Sequence, residues 1–199
     1  MIVLIDNGHG VDTPGKRSPD GRLREYAWAR ETAQRIAIAL QREGIDARLL
    51  VPETADIPLG VRTRRANAVC AAEGTRNVCL VSIHNNAAGA DGKWHTARGF
   101  AAYVADNAGQ GSRRLAGMLA EEAAARRLLG NRYVPPRGYW TASLAICRDT
   151  KCAAVLTENL FQDNREDCAY LLSEDGKAAL VALHVRTITK YVRQCEEEQ

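Results

Sequence analysis

Three residues of this chain combine a chemically competent side chain with the end of an apolar run. His9 follows the run Met1 to Ile5 in MIVLIDNGHG, His84 follows Val78 to Ile83 in VCLVSIHNN, and Glu158 closes the strand-like stretch of AVLTENLF. An apolar run that stops at polar or turn-forming residues reads as a buried strand delivering one side chain to a site. In parallel sheets, ligands bind outside the carboxyl ends of the strands. A single histidine in such a place is ordinarily structural, but two histidines and a glutamate closing three different strands point to a shared centre. Two imidazoles and a carboxylate are a recurring ligand set of catalytic zinc, which keeps a position open for water and needs a further group to move protons. The third ligand is expected on an element beside the first strand, where a helix begins with Glu25. Glu25 shares the inward helical face with Trp28, Ala29, Thr32 and Ile36, whereas Glu31 aligns with Arg35 and Arg42 on the solvated side. Glu25 is also a favourable charge for a helix's first turn, and the two roles are compatible. Gly8 and Gly10 are expected to let the backbone turn around His9, and Asp6 or Asn7 to hold one of its ring nitrogens.

The patterning supplies a scaffold for these side chains. Val11 to Arg24 reads as a loop, followed by a helix over Glu25 to Glu43 that stops at Gly44, and a strand over Ile45 to Val51 closed by Pro52. A helix over Leu59 to Ala72 places Val61, Arg65, Ala68 and Val69 on one side, and Asn77 to His84 reads as a central strand buried on both faces. Beyond a loop from Asn85 to Arg98 come a strand at Gly99 to Ala105, a helix at Leu115 to Leu129 and an aromatic, proline-containing loop at Asn131 to Thr141. Two short strands, Leu144 to Arg148 and Ala153 to Glu158, precede a helical tail from Arg165 in one or two pieces broken near Gly176. Strands alternating with helices predict an α/β fold: a single domain over residues 1–199, with a mostly parallel central sheet of about six strands and helices on both faces.

Composition narrows the functional classes. A chain of 199 residues, 46% apolar and 26% charged, buries about 70% of its unfolded surface as one domain and needs no staple. No run approaches the roughly 18 apolar residues of a membrane span, so no membrane insertion is expected. The N-terminus lacks the basic region and long apolar run of a secretory signal, which predicts synthesis in the cytoplasm. Cys70, Cys79, Cys147, Cys152, Cys168 and Cys195 lack metal-ligand spacing and read as reduced thiols. The net charge of +3 is spread along helices, which argues against nucleic-acid binding, and a monomer is expected.

With these residues in place, the chain resembles the catalytic domain of zinc-dependent N-acetylmuramoyl-L-alanine amidases, a family widespread in bacteria and their phages. DNGHG at 6–10 is similar to the family's opening histidine motif, and LREYAWARETAQRIAIALQREG at 23–44 to its glutamate-led helix. LGVRTRRANAV at 59–69 has the family spacing at Leu59, Arg62, Ala66 and Asn67. VSIHNNA at 81–87 is close to the second histidine motif, and TENLFQDNREDCAYL at 157–171 to the segment bearing the catalytic glutamate. The resemblance implies His9, Glu25 and His84 as zinc ligands and Glu158 as catalytic acid-base. It also implies a peptidoglycan (muramoyl-peptide) substrate and a site of action in the cell wall, reached by phage-type release or another export route. Two positions depart from the family: Val11 stands where a second glycine is usual, and Asn159 and Leu160 stand where a small pair such as Thr-Gly is usual. Two other readings are a catalytically weak module that binds cell-wall fragments and a zinc peptidase acting on the stem peptide. Of the remaining residues, His184 reads as structural. Trp94, His95, Arg137, Tyr139 and Trp140 read either as groove-lining contacts for sugar or peptide or as packing.

Overall fold

The opening apolar run forms β1 (Ile2–Asn7), every residue of which is buried, because a strand lies against it on each side. The computed structural model describes residues 1–198; Gln199, the last residue of the expected helical tail, lies outside the described residues. From β1 the chain passes through α1 (Glu25–Arg42), β2 (Asp46–Leu49), α2 (Leu59–Glu73), a 3₁₀ turn (Thr75–Asn77) and β3 (Val78–Asn86). It continues through β4 (Ala101–Val104), α3 (Gln110–Ala125), β5 (Trp140–Thr141), α4 (Ala145–Arg148), β6 (Ala153–Phe161), α5 (Arg165–Leu172) and α6 (Glu174–Glu197). One six-stranded sheet results, in the order β2-β1-β3-β6-β4-β5. β2, β1, β3 and β6 run parallel, β4 is antiparallel to β6, and the two-residue β5 is parallel to β4.

The alternation of side chains along each strand divides the core in two. Val3, Ile5, Cys79, Val81, Ile83 and Val155 face a layer containing Ala29, Ile36 and Leu40 of α1, Leu115 and Leu119 of α3, and Leu183 and Ile188 of α6. Ile2, Leu4, Leu80, Ala154 and Leu156 face the opposite layer, with Ala66 and Cys70 of α2 and Ile146 of α4. All six cysteines are buried and free. No helix among the described residues is long and apolar enough to cross a membrane.

Several elements differ from the sequence expectation. Residues Ala145 to Arg148 form a helical turn instead of a strand. A four-residue apolar run fits either period, and here the chain crosses back toward β6, where Arg148 N–H and Asp149 N–H bond the carbonyls of Leu144 and Ala145. Helix α3 starts five residues before Leu115, through Gly111 and Ser112. It ends at Ala125, where Arg127 takes a left-handed φ of 58° and Leu128 N–H bonds the Ala123 carbonyl. The buried face of α2 is Arg62, Thr63, Ala66 and Cys70, so an arginine meets the sheet there, while Val69 packs at the edge of the core. The tail breaks at Ser173, whose hydroxyl accepts from Gly176 N–H to cap α6.

Two strands run farther than expected, and this shapes the site. β3 reaches Asn86 and β6 reaches Phe161, with the pairing going from His84↔Glu158 to Asn86↔Phe161. Two residues of β3 thus oppose three of β6, a bulge built on Leu160 at φ 63°. Leu160 is the position where the resembled family has a small residue, and its side chain is 2% exposed. Relief of left-handed strain gains about 1 kcal/mol, whereas emptying a buried leucine site costs about 2–5 kcal/mol. Leu160→Gly is therefore expected to destabilise the fold by about 1–4 kcal/mol in urea unfolding; a more stable variant would show that strain, not packing, dominates here.

Candidate metal centre and catalytic cleft

His9 and His84 are delivered by neighbouring parallel strands. β1 and β3 stay in register to Asn7↔Ile83, and the next amide, Gly8 N–H, bonds the Ile83 carbonyl at 2.9 Å. The sharp turn then falls on His9 itself, at φ 61°, and not on the glycines around it. Their role is close approach. A Cβ on Gly8 would lie 2.4 Å from the His84 ring, and one on Gly10 would lie 2.0 Å from the Asp56 nitrogen. The two imidazoles consequently meet edge to face, with centroids 5.0 Å apart and planes at 85°. Val11, which replaces an expected glycine, lacks a left-handed φ, and its N–H bonds the Thr54 carbonyl.

Glu25 joins them as the first residue of α1, 1% exposed on the inward face. Its Oε1 lies 3.3 Å from His9 Nε2 and 3.1 Å from His84 Nδ1, and accepts from the Asn85 backbone N–H at 3.1 Å. Its Oε2 accepts from Gln162 Nε2 at 3.2 Å. Among the described residues no lysine or arginine forms an ion pair with this carboxylate. Burial alone would raise Glu25, but hydrogen bonds to His84 and His9 outweigh it and hold the carboxyl far below the usual range. For His84 burial acts downward, but the bond to Glu25 together with the negative charges of Glu25, Glu158 and Asp6 outweighs it, so the imidazole is raised. One ligand atom from each of the three residues fits within 4.8 Å. Two imidazole nitrogens and one carboxylate oxygen converging on one point are a donor set suited to a divalent metal. Glu31, by contrast, pairs with Arg35 and Lys177.

The expected support of His9 by Asp6 or Asn7 is absent. Asp6 is buried and committed elsewhere, its Oδ1 accepting from Arg62 Nη1 at 2.8 Å and its Oδ2 from the Ser82 hydroxyl. Arg62, only 2% exposed, also donates to the carbonyls of Ile57 and Asn7 and to Asp56. Arg30 donates to the His9 carbonyl at 2.8 Å, so the backbone of the His9 turn is what is held.

Glu158 stands opposite His84 in the β3–β6 register, outside the trio. Its Oε2 is buried without a hydrogen-bond partner. Burial pushes the carboxyl up from 4.5 to about 7; the His84 charge opposes this and the Glu25 charge reinforces it. Beside His9 and His84 opens a cavity of about 400 Å³ lined by Pro58, Leu59, Leu144, Ile146 and Leu156. His184 is fully buried, with Nδ1 against the Leu180 carbonyl and Nε2 against the Thr157 hydroxyl, and burial lowers it to about 4. His95 pairs with Asp91 at 2.9 Å and Trp94 lies under Arg165. Tyr139 is buried beneath Arg137, and Trp140 stacks on Tyr103. Gln162 and the Asn85 amide were not marked by sequence reasoning. Their one signal is that polar residues follow each site strand directly, in HNN and FQDN.

Comparison with known proteins places the chain in a family. A family profile described as N-acetylmuramoyl-L-alanine amidase matches residues 3–190. The chain is 31% identical over 171 residues to N-acetylmuramoyl-L-alanine amidase CwlM of Bacillus licheniformis, covering 86% of this chain and 60% of that protein. It is 28% identical over 177 residues to an endolysin of Bacillus phage SPP1, covering 88% and 59%. It thus spans about three fifths of the length of these curated relatives. The fold is shared with the amidase Ami1 of Mycobacterium smegmatis, at TM-score 0.83, 20% identity and coverage of 98% and 97% of the two chains. The profile match over nearly the whole chain makes this protein a member of the N-acetylmuramoyl-L-alanine amidase family.

Proposed function

We propose that this chain hydrolyses the amide joining the lactyl group of N-acetylmuramic acid to L-alanine in peptidoglycan, with zinc held by His9, Glu25 and His84 and with Glu158 as general acid-base. The supporting observation is the convergence of two imidazole nitrogens and a buried carboxylate oxygen within 4.8 Å, facing a second carboxyl whose Oε2 has no partner. When bound there, zinc supplies Lewis-acid polarisation of the scissile carbonyl and lowers the pKa of water from near 16 to about 7. Gln162 and the Asn85 N–H fix the Glu25 oxygens, and Arg30 and Arg62 fix the His9 backbone, so the ligand atoms are set before substrate arrives. Glu158 accepts a proton from the attacking water at Oε2 and returns it to the leaving amine. A carboxyl displaced toward neutrality suits transfer in both directions, worth about 10² to 10⁴ in rate.

Incubation of the purified protein with peptidoglycan, with and without chelator, followed by mass analysis, tests the reading. The expected products are glycan strands freed of peptide and peptides with a new L-alanine amine, all abolished by chelation. Cleavage between amino acids would identify a peptidase instead. Glu158→Ala is expected to retain metal while losing about 10² to 10⁴ of turnover, whereas His9→Ala and His84→Ala lose metal; near-normal digestion by Glu158→Ala would remove it from the mechanism. Gly8→Ala, which drives a methyl into the His84 ring at 2.4 Å, is expected to weaken metal affinity about 10- to 100-fold in a chelator competition.

The metal-free protein has a further signature. With the Glu158 carboxyl raised from 4.5 to about 7, the native state keeps a proton between those pH values that the unfolded chain has released. Stability contributed at low pH is then lost as pH rises through this window, by as much as roughly 3 kcal/mol. Urea unfolding at pH 5 and pH 8 in chelator should show a shallower pH slope for Glu158→Gln than for the parent; equal slopes would contradict the raised carboxyl.

A further inference from the structure

Arg132 is a half-buried arginine whose guanidinium has no acceptor among the described residues. It lies over the Trp140 ring at 5.2 Å and the Phe161 ring at 5.3 Å. Its Nη1 is buried without a hydrogen-bond partner. Among the described residues no carboxylate forms an ion pair with it and no oxygen accepts from any of its nitrogens. A buried donor left unmatched costs about 1–3 kcal/mol. Two aromatic rings hold the guanidinium while leaving its N–H groups unpaired, an arrangement suited to receiving an anion.

The bulge in β6 places this cation at the cleft. Regular alternation would put Glu158 and Phe161 on opposite faces of the sheet. Because three residues of β6 oppose two of β3 there, Phe161 pairs with Asn86 and Glu158 with His84, two residues apart on β3 and so on one face. The guanidinium that rests on Phe161 therefore shares the Glu158 face, displaced from His84 toward the β5 edge. The positive charge of Arg132 is felt at the Glu158 carboxyl, where it acts to lower the proton affinity.

We infer that Arg132 binds a substrate carboxylate on the peptide side of the scissile amide, the free α-carboxylate of the residue after L-alanine. This rests on the amidase reading above. In peptidoglycan that residue is a D-glutamate joined through its side chain, leaving its α-carboxylate either free or amidated. With the scissile nitrogen at Glu158, that group lies about two residues, or about 6–7 Å, farther along the peptide. A guanidinium pairs with a carboxylate through charge-assisted, bidentate bonds that a neutral carboxamide cannot match. Arg132 is thus a binding residue that selects the free acid over the amide.

The test uses the zinc-loaded full chain and two muramoyl dipeptides, one ending in L-Ala-D-isoglutamate and the other in L-Ala-D-isoglutamine. The parent is expected to favour the acid by about 10- to 100-fold in kcat/KM, expressed mainly in KM. Arg132→Gln should remove that preference by losing more cleavage of the acid than of the amide, with Arg132→Lys restoring part of it. Equal losses on both substrates, or none on either, would overturn the inference. Calorimetric binding of the free dipeptides L-Ala-D-isoglutamate and L-Ala-D-isoglutamine to parent and Arg132→Gln reads the same selectivity without turnover. Should the parent cleave neither muramoyl substrate, the amidase reading fails alone, and a carboxylate preference lost in the variant still supports Arg132. No such preference in the dipeptide binding overturns it.

Discussion

The structure turns on a buried carboxylate that, among the described residues, is paired with two histidines and with no lysine or arginine. Glu25 is 1% exposed, and removing a carboxylate from water costs several kcal/mol unless partners replace the lost hydration. Its replacements are two imidazoles, one backbone N–H and one side-chain amide. Each demands something of a different element. α1 must begin at Glu25, β3 must run past His84 so that Asn85 N–H points inward, β6 must end so that Gln162 follows it directly, and Gly8 must lack a side chain. A set of donors arranged around an anion with no arginine or lysine among them is suited to a divalent cation, whose binding energy would then contribute to the stability of the fold.

The protein's nearby arginines are kept to a separate network. Arg62 fills its donors with Asp6, Asp56 and the carbonyls of Ile57 and Asn7, and Asp6 is closed by Ser82 on its other oxygen. This buried cluster ties α2 and the segment before it to the end of β1, which holds the His9 turn through its backbone. The surface ion pairs, such as Arg35 with Glu174, contribute little by comparison, because solvent screens them and holding long side chains costs entropy.

Farther along the sheet, one irregular residue sets the rest of the cleft. Leu160 at φ 63° adds a residue to β6, which keeps Glu158 opposite His84 yet brings Phe161 back to the same face. The strain of a leucine in the left-handed region is offset by its burial in the core. The bulge thus couples Glu158, the proposed acid-base, to the aromatic support of Arg132, and it brings a buried carboxyl and an unpaired guanidinium to one face of the sheet.

How much of this could be read from the residues depends on the range of the physics involved. The alternating strands and helices, the inward face of α1 and the four candidates His9, Glu25, His84 and Glu158 were legible, because apolar periodicity and strand ends are local patterns. The single turn of α4 was not, since four apolar residues satisfy either period. The inward face of α2 was not legible, because Arg62 is buried by partners that come from elsewhere in the chain. Asp6 was misassigned for the same reason: proximity in sequence favoured His9, and a tertiary contact with Arg62 and Ser82 claimed it. The sequence by itself determined which side chains could do chemistry and which strands would carry them. Only the tertiary structure decided that Gly8 clears space for the His84 ring, that Gln162 holds Glu25 and that Arg132 faces the cleft, because each depends on a register or a bulge between strands far apart in the chain.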